Sequence, residues 1–182
     1  MVFSPTPIQG AWVIDPTPHQ DVRGRFMRAW CAREFAAQGI VFTPVQANMS
    51  HSVRAGTVRG LHLQIAPDLE AKLVRCTRGA VYDVLADLRP ESPTRGQWFG
   101  VELNADNARM LYIPPLCAHG YQTLVDDAET YYLTSAFYAP AACTGLRFDD
   151  PSLKIDWPLP ISDVSEQDKR WPVLRTWDTG GR

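Results

Sequence analysis

The sequence predicts a single, mostly β domain over residues 1–182, a sandwich or barrel with a few short helices. Its 182 residues, of which 45% are hydrophobic and 21% charged, have the length and composition of one folded domain. The 12 Gly and 15 Pro often fall in short turn clusters such as RPESP and IPP. Between residues 43 and 138, apolar stretches follow one another at the spacing of a many-stranded fold.

The individual elements follow from local patterns. The stretch Ala29–Gly39 is the main helix candidate, because its apolar residues have helical spacing and Gly39 suits the position just after a helix. Ser165 is predicted to cap a short helix with Asp168 in its first turn, within a tail of short helices over residues 160–182. The predicted strands lie in TPVQANMSHS, GTVRGLHLQI, KLVRCTRGAVYDVLADL, QWFGVELN, RMLYIPP, AHGYQTLV and ETYYLTSAFY.

The charge distribution and the absence of targeting patterns in the sequence limit the class of protein that we expect. Residues 1–80 hold 9 Lys/Arg against 5 Asp/Glu, net +4, and residues 81–182 hold 9 against 15, net −6. This balance argues against a nucleic-acid surface but leaves a local anion site among the early arginines possible. The sequence shows no signal-peptide pattern, no membrane-length apolar run and no CxxC pair among its four cysteines. We therefore expect a cytoplasmic protein with reduced thiols and no membrane segment.

Strand parity predicts which side chains share a face, because alternate residues of a strand point the same way. Arg59 has the opposite parity to His62, so both reach one ligand only if a bulge distorts the strand near Gly60. Three faces are predicted to line a common interior: Val58, Gly60, His62 and Gln64; Lys72, Val74 and Cys76; and Tyr132, Thr134, Ala136 and Tyr138.

The spacing between Gly56 and His62 matches the first sequence motif of cupin barrels, in which a following HxH binds a metal ion. Here His62 is followed by Leu63 and Gln64, and Gln is a poor ligand for transition metals. Glu70 alone cannot rebuild a three-ligand site. The sequence therefore predicts a cupin barrel that needs no metal.

Each candidate residue also has an ordinary structural interpretation. His62 between two leucines suits a hydrogen-bonded core histidine, and His119 suits a histidine bonded to backbone. Lys72 suits an exposed strand edge and Tyr132 suits aromatic packing. Asp168 alone suits a first-turn helix acid. A solvated surface is the ordinary interpretation of the arginine run Arg23, Arg25, Arg28 and Arg33. Guanidinium groups also bind diphosphates through paired hydrogen bonds, so an anion site is the alternative.

Together these strings resemble the dTDP-4-dehydrorhamnose 3,5-epimerase family from about residue 8 to about residue 170. The resemblance rests on RGLHLQ, KLVRC, VYDVLADLRPESPTRGQW, IPPLCAHGYQTL, ETYYLTSAFYAP and SEQD. It implies a metal-independent cupin jelly roll without a cofactor. It also implies a homodimer that acts on a dTDP-linked 4-keto-6-deoxy sugar.

The resemblance also assigns residues by position. It implies that His62 is the base and Asp168 its partner, that Lys72 is the family's lysine, and that Tyr132 is the acid. Phe137 or Tyr138 becomes a candidate for stacking on the nucleotide base. The N-terminal segment of a second subunit is expected to complete the pocket. The positions that match sugar and diphosphate contacts are Arg23, Gln46, Asn48, Arg59 and His119.

The chemistry requires these residue types. A hydrogen beside a ketone becomes acidic only when the developing enolate oxygen is stabilised. His62 can take that proton, Lys72 can supply positive charge near the O4 oxygen, and Tyr132 can return a proton from the opposite face, which inverts the carbon.

Three departures from the family pattern bear on specificity. His19 stands where Phe is usual, Arg28 where an acid is common, and Leu133 where Lys is common. The first hypothesis is inversion at C3 and C5 of dTDP-4-keto-6-deoxyglucose. The alternatives are an epimerase of one carbon only, a non-catalytic protein that binds the sugar nucleotide, and, least favoured, a metal-dependent cupin oxygenase.

Overall fold

The computed structural model describes residues 1–176, and most of its regular structure is β. The helical elements are α1 (Ala32–Ala37) and two 3₁₀ helices, Asp168–Arg170 and Leu174–Thr176. The strands are β1 (Val2–Pro5), β2 (Trp12–Asp15), β3 (His19–Asp21), β4 (Gly24–Phe26), β5 (Gln46–Ser52), β6 (Thr57–Gln64), β7 (Lys72–Arg78), β8 (Ala80–Asp87), β9 (Trp98–Asn104), β10 (Met110–Ile113), β11 (Cys117–Thr123), β12 (Ala128–Thr134), β13 (Cys143–Gly145) and β14 (Asp163–Val164).

Two sheets form a sandwich. The first has the strand order β1-β2-β10-β7-β12-β5, and the second has the order β13-β6-β11-β8-β9 with β14 added in parallel to β6. Strands β3 and β4 form a separate hairpin. Over residues 1–176 the two main sheets do not join into a closed barrel. The predicted mostly β sandwich is therefore confirmed, and the barrel alternative is not the form observed.

Apolar side chains fill three layers. Val74 and Leu111 of the first sheet pack against Leu85 of the second, in the cluster between the sheets. A second cluster places Phe35 of α1 against the outer face of the first sheet. A third lies on the outer face of the second sheet and includes Leu153 from the C-terminal segment. The C-terminal segment is thus seated on the same sheet as β6.

The sequence patterns located most of these elements. All seven stretches predicted as strands contain strands β5 to β12. The predicted helix is confirmed but begins only at Ala32, because the backbone at Cys31 is extended. Gly39 has φ +73° and its N–H bonds to the Ala36 carbonyl, and the N–H of Ile40 bonds to the Phe35 carbonyl. This is the helix ending that Gly39 was predicted to provide.

Short strands escaped the sequence analysis, namely β1 to β4, β13 and β14. The predicted C-terminal helices exist as two 3₁₀ turns before residue 177, and residues 177–182 lie outside the described residues. The predicted hydrogen bond is present, since Ser165 Oγ accepts the N–H of Asp168 at 3.0 Å. The 3₁₀ helix itself begins only at Asp168, so Gln167 and not Ser165 stands at its N-cap. Each helix within residues 1–176 is too short or too polar to traverse a lipid bilayer.

Candidate active site

A cavity of about 660 Å³ opens between the two sheets. Side chains from β5, β6, β7, β11 and β12 line it together with the C-terminal segment. Nine of the eleven residues singled out from the sequence lie on its wall: Gln46, Asn48, Arg59, His62, Lys72, His119, Tyr132, Tyr138 and Asp168. The predicted common interior is confirmed in part. Of the eleven residues on the three predicted faces, six line the cavity, namely Val58, His62, Lys72, Tyr132, Thr134 and Tyr138. Val74 and Cys76 lie instead in the apolar cluster between the sheets.

Strand β6 is irregular near Gly60, where the opposite parity of Arg59 and His62 predicted a bulge. His62 pairs with His119, but Arg59 pairs with Tyr121, so three steps on β6 face two on β11. Gly60 lies in this irregularity with φ +118°, and an added Cβ would come within 2.6 Å of the Gly120 Cα. Glycine permits this close approach and this backbone angle. As a result Arg59 and His62 line the same cavity, as the bulge prediction required.

His62 and Asp168 form a hydrogen-bonded pair. The Nε2 atom of His62 lies 2.6 Å from Oδ1 of Asp168, although 106 residues separate them in the sequence. Asp168 is buried, whereas the His62 side chain is 42% exposed toward the cavity it lines. The N–H of Gly60 donates to the other carboxylate oxygen, Oδ2, at 3.2 Å. The acid is thus fixed and the imidazole remains accessible.

The protonation of this pair follows from its surroundings. Burial opposes the charge of Asp168, but the hydrogen bonds from His62, Gly60 and Trp171 outweigh it and lower the pKa of the carboxyl. An ionised carboxylate only accepts, so the shared proton resides on Nε2 of His62. In the neutral ring Nδ1 then carries the free lone pair. The pair can therefore hold a general base in one tautomer.

Lys72 and Tyr132 supply a cation and a phenol to the same cavity. The Lys72 ammonium is buried and forms an ion pair with Glu70, which also lines the cavity. Since an ammonium has three N–H donors, this pair leaves donors for another acceptor. Burial raises the pKa of Tyr132, and the nearby charge of Glu70 raises it further. The phenol therefore stays protonated near neutral pH and able to give up a proton.

His119 belongs to a second histidine and aspartate pair. Its Nε2 atom lies 2.9 Å from Oδ1 of Asp83, a fully buried residue of β8. Burial raises the pKa of the Asp83 carboxyl, and the neighbouring His119 opposes that rise. His119 lines the cavity, as the family resemblance implies. Its structural partner is the Asp83 carboxyl and not a backbone group, so the ordinary interpretation of this histidine was wrong about the partner.

Polar side chains surround these groups. Arg59 is held by Ser52 Oγ and the His51 carbonyl, each at 3.0 Å. Gln46 donates to Asn48 Oδ1 at 3.0 Å, and its own oxygen accepts the N–H of Tyr138. The cavity wall therefore combines one guanidinium with several amide and hydroxyl groups, a composition that suits a phosphorylated sugar.

Two predicted residues lie elsewhere. Arg23 is not on the cavity wall; it projects from the β3–β4 hairpin, 86% exposed at its side chain and paired with Asp21. Phe137 is exposed, and only its neighbour Tyr138 lines the cavity. Phe137 was predicted to stack on the nucleotide base and Arg23 to contact the sugar or diphosphate. Neither side chain lines the cavity of its own chain.

Three residues around the site were not predicted from the sequence as part of it. Glu70 was considered only as a metal ligand, yet it pairs with Lys72. Asp83 and Trp171 were not singled out, yet they contact His119 and Asp168. The only sequence signal for Asp83 was its place in an apolar strand, where alternation with core residues could have indicated an inward-facing side chain. Within residues 1–176 no group of three His, Cys, Asp or Glu side chains is arranged to hold a metal ion.

Comparison with known proteins decides the family. The family model described as dTDP-4-dehydrorhamnose 3,5-epimerase matches residues 5–176. The chain belongs to this epimerase family. The dTDP-4-dehydrorhamnose 3,5-epimerase of Methanothermobacter thermautotrophicus is 41% identical over 176 residues, which are 95% of this chain and 94% of that protein.

Other members of the epimerase family differ in their stated reaction. The dTDP-4-dehydrorhamnose 3-epimerase of Streptomyces niveus is 41% identical over 170 residues, 93% of this chain and 82% of that protein. The crystal structure of the 3,5-epimerase of Legionella pneumophila in complex with dTDP-4-keto-L-rhamnose superposes with a TM-score of 0.91 at 36% identity, covering 97% of this chain and 94% of that one. The family resemblance stated from the sequence is confirmed.

Proposed function

We propose that this chain is an isomerase that inverts C3 and C5 of a dTDP-4-keto-6-deoxyhexose and so converts dTDP-4-dehydro-6-deoxyglucose into dTDP-4-dehydrorhamnose. Its family membership and the names of its relatives support this activity. The observation that carries the proposal is the 2.6 Å pair of His62 and Asp168, in one cavity with Lys72 and Tyr132.

In the proposed first step, Nδ1 of His62 takes the proton from the carbon beside the ketone. The C–H electron pair forms a C=C bond, and the carbonyl π pair moves to O4. Asp168 stabilises the resulting imidazolium because the carboxylate already accepts from its Nε2 atom. The Lys72 ammonium stabilises the negative charge on O4.

In the proposed second step, the phenol of Tyr132 delivers a proton to the same carbon from the opposite face. The π pair of the C=C bond forms the new C–H bond, an electron pair on O4 restores the C=O bond, and the carbon is inverted. Solvent then reprotonates the tyrosinate and accepts the proton of His62. Repeating both steps at the second carbon completes the conversion.

A single-site C3 epimerase is the second candidate. The relative from Streptomyces niveus, named a 3-epimerase, has the same identity, 41%, as the 3,5-epimerase from Methanothermobacter thermautotrophicus. The two candidates use the same base and the same ketone. They differ in whether the hydrogen on C5 is also removed.

Incubation of the purified protein with dTDP-4-dehydro-6-deoxyglucose in D₂O tests the proposal. We expect deuterium at both C3 and C5 and expect His62→Ala to abolish exchange at both carbons. Deuterium at C3 alone would assign the C3 epimerase instead. Binding of the sugar nucleotide without any exchange would assign a non-catalytic binding protein.

The partners follow from the same proposal. We propose that the chain works as a homodimer in the cytoplasm, where free thiols such as the buried Cys76 and Cys117 stay reduced. The exposed hairpin with Arg23, Val22 and Phe26 supports the dimer, because a single chain leaves these side chains uncovered. In the proposed dimer this hairpin completes the cavity of the partner subunit.

A further inference from the structure

Trp171 makes a contact that the proposed chemistry leaves unused. Its indole Nε1 donates to Oδ1 of Asp168 at 3.2 Å. The same oxygen accepts from His62, while Gly60 binds the other oxygen. Three donors therefore converge on one buried carboxylate, and two of them compete for a single oxygen atom.

The indole ring also packs against the base. The ring centroids of Trp171 and His62 are 6.3 Å apart, with the planes inclined by 70°, an edge-to-face arrangement. Trp171 lines the cavity beside His62 and Asp168. On the side of strand β13, a Cβ added at Gly145 would lie only 3.0 Å from two indole carbons. The ring is thus held between the imidazole and the backbone of β13.

The chain after Trp171 is fastened to the sandwich. The Pro172 carbonyl accepts the N–H of Arg147 at 3.1 Å. The N–H of Leu174 bonds to the carboxylate of Asp150, and the Leu174 side chain packs on the outer face of the second sheet. These contacts fix the backbone on the C-terminal side of the indole. Their effect is to limit how far Trp171 can move away from Asp168.

We propose that Trp171 is a positioning residue that sets the orientation of the His62 and Asp168 pair. Its indole N–H fixes the position of Oδ1, the carboxylate oxygen that also accepts the Nε2–H of His62. Its ring packs edge-to-face with the imidazole and limits the rotation of that ring. Trp171 does not touch the reacting atoms. The inference rests on the proposed epimerase function, since it assigns Trp171 to the base of that reaction.

Trp171→Phe is the decisive variant, because it keeps an aromatic ring and removes the N–H donor. Trp157→Phe is the matched control: Trp157 is also half-buried and donates its indole N–H to a backbone carbonyl, that of Phe148 at 2.9 Å, away from the cavity. Both variants lose one indole hydrogen bond. Only Trp171→Phe loses one to Asp168.

Two readouts separate positioning from packing. We expect Trp171→Phe to lower kcat on the order of 10-fold, a loss typical of groups that orient a catalytic residue. Exchange at C3 and C5 should fall together, and the Kd for dTDP should stay unchanged. We also expect the Nε2–H proton resonance of His62 in ¹⁵N-histidine-labelled protein to shift in Trp171→Phe and to stay in place in Trp157→Phe.

Equal kcat values in the two variants, with an unmoved His62 resonance, would overturn the inference. The resonance is measured without substrate, so it tests the inference even if the wild-type protein exchanges no deuterium and the proposed function fails. If Trp171→Phe does not fold, Trp171→Met provides the same two readouts, because its flexible side chain fills irregular space and has no N–H or O–H donor.

Discussion

At the scale of single residues, the candidate site depends on how each ionisable group is paired. Asp168 is ionised because three donors outweigh its burial, and Tyr132 stays neutral because burial and Glu70 act in the same direction. A base with a fixed partner and an acid that keeps its proton are what inversion beside a ketone requires. Lys72 stays buried because Glu70 compensates its charge.

Tyr132→Phe should separate deprotonation from inversion. The variant retains His62 and Lys72, so exchange of the carbon-bound hydrogen should persist in part. Inversion should fall by about 10²–10⁴-fold, the usual effect of losing a general acid, and most strongly at C5. Mass spectrometry gives the exchange rate and NMR of the product gives the configuration.

Tyr131→Phe is the control for that experiment, because Tyr131 precedes Tyr132 on β12 but is absent from the cavity wall. It should retain both rates. Unaltered inversion in Tyr132→Phe would show that another group is the acid.

The environment of Asp87 predicts that the free energy of unfolding depends on pH. Burial opposes its charge, but hydrogen bonds from Arg89, Ser92 and Thr94 prevail and lower the pKa of Asp87 to about 2. A lowered pKa stabilises the folded state above the unfolded pKa of 3.8, and this contribution disappears as the pH falls toward 2. The shift corresponds to about 2 kcal/mol. We expect Asp87→Asn to lower the free energy of unfolding at pH 7 by about that amount.

Urea denaturation between pH 2 and pH 7 measures this difference. The gap between wild type and Asp87→Asn should narrow as the pH approaches 2. Asp149→Asn is the matched control, since Arg147 also binds Asp149 through two nitrogens but at a half-exposed position. Its effect should stay below about 1 kcal/mol. Equal losses in the two variants would contradict the assignment.

At the scale of elements, β6 shows what a sequence pattern can and cannot predict. Alternation along the strand placed His62 inward, and the opposite parity of Arg59 required a bulge at Gly60, which the structure contains. Parity could not identify Glu70, because it lies in the loop between β6 and β7, where no repeating geometry applies. Trp171 escaped because its role depends on a tertiary contact with Asp168. Two-residue strands such as β14 are too short to show a period.

Gly60→Ala tests the irregularity directly. The added Cβ would meet the backbone of Gly120 and His119 at 2.6 and 2.7 Å, at a backbone angle that alanine rarely adopts. We expect a loss of stability above about 3 kcal/mol, or a rearranged strand in which Arg59 no longer reaches the cavity. Denaturation and dTDP binding measure the two outcomes.

Gly39→Ala serves as the comparison for Gly60→Ala. Gly39 also has a positive φ, but no atom lies within 4 Å of its added Cβ. This change should cost only about 1 kcal/mol and leave dTDP binding intact. A mild effect at both positions would mean that the close approach at Gly60 is not required.

At the scale of the whole molecule, the cavity of a single chain lies apart from the arginine run of the first half. Residues from both sheets and from the C-terminal segment converge on it, whereas the arginine run of the first half does not. Arg28 pairs instead with Glu34, and Leu133 packs beneath α1, away from the cavity. His19 lies on the exposed hairpin together with Arg23. The family departures at these positions therefore lie outside the wall of the chain's own cavity.

Complementation tests whether the hairpin serves a second subunit. Arg23→Ala and His62→Ala should each be nearly inactive alone. In a mixed dimer, one cavity would combine His62 from one subunit with Arg23 of the partner subunit. Random pairing at equal amounts should therefore restore about a quarter of the wild-type activity. No recovery after confirmed subunit exchange, or full activity of Arg23→Ala alone, would contradict exchange of the hairpin.

The position of Asp168 after the strands of both sheets has a consequence for protein synthesis. Within residues 1–176, the last strand of the two sheets apart from the short β14 ends at Gly145. A ribosome has therefore translated almost the entire sandwich before it reaches the aspartate on which the proposed base depends. A premature stop codon between Gly145 and Asp168 would leave those strands encoded. It would remove Asp168 and with it the partner of the proposed base.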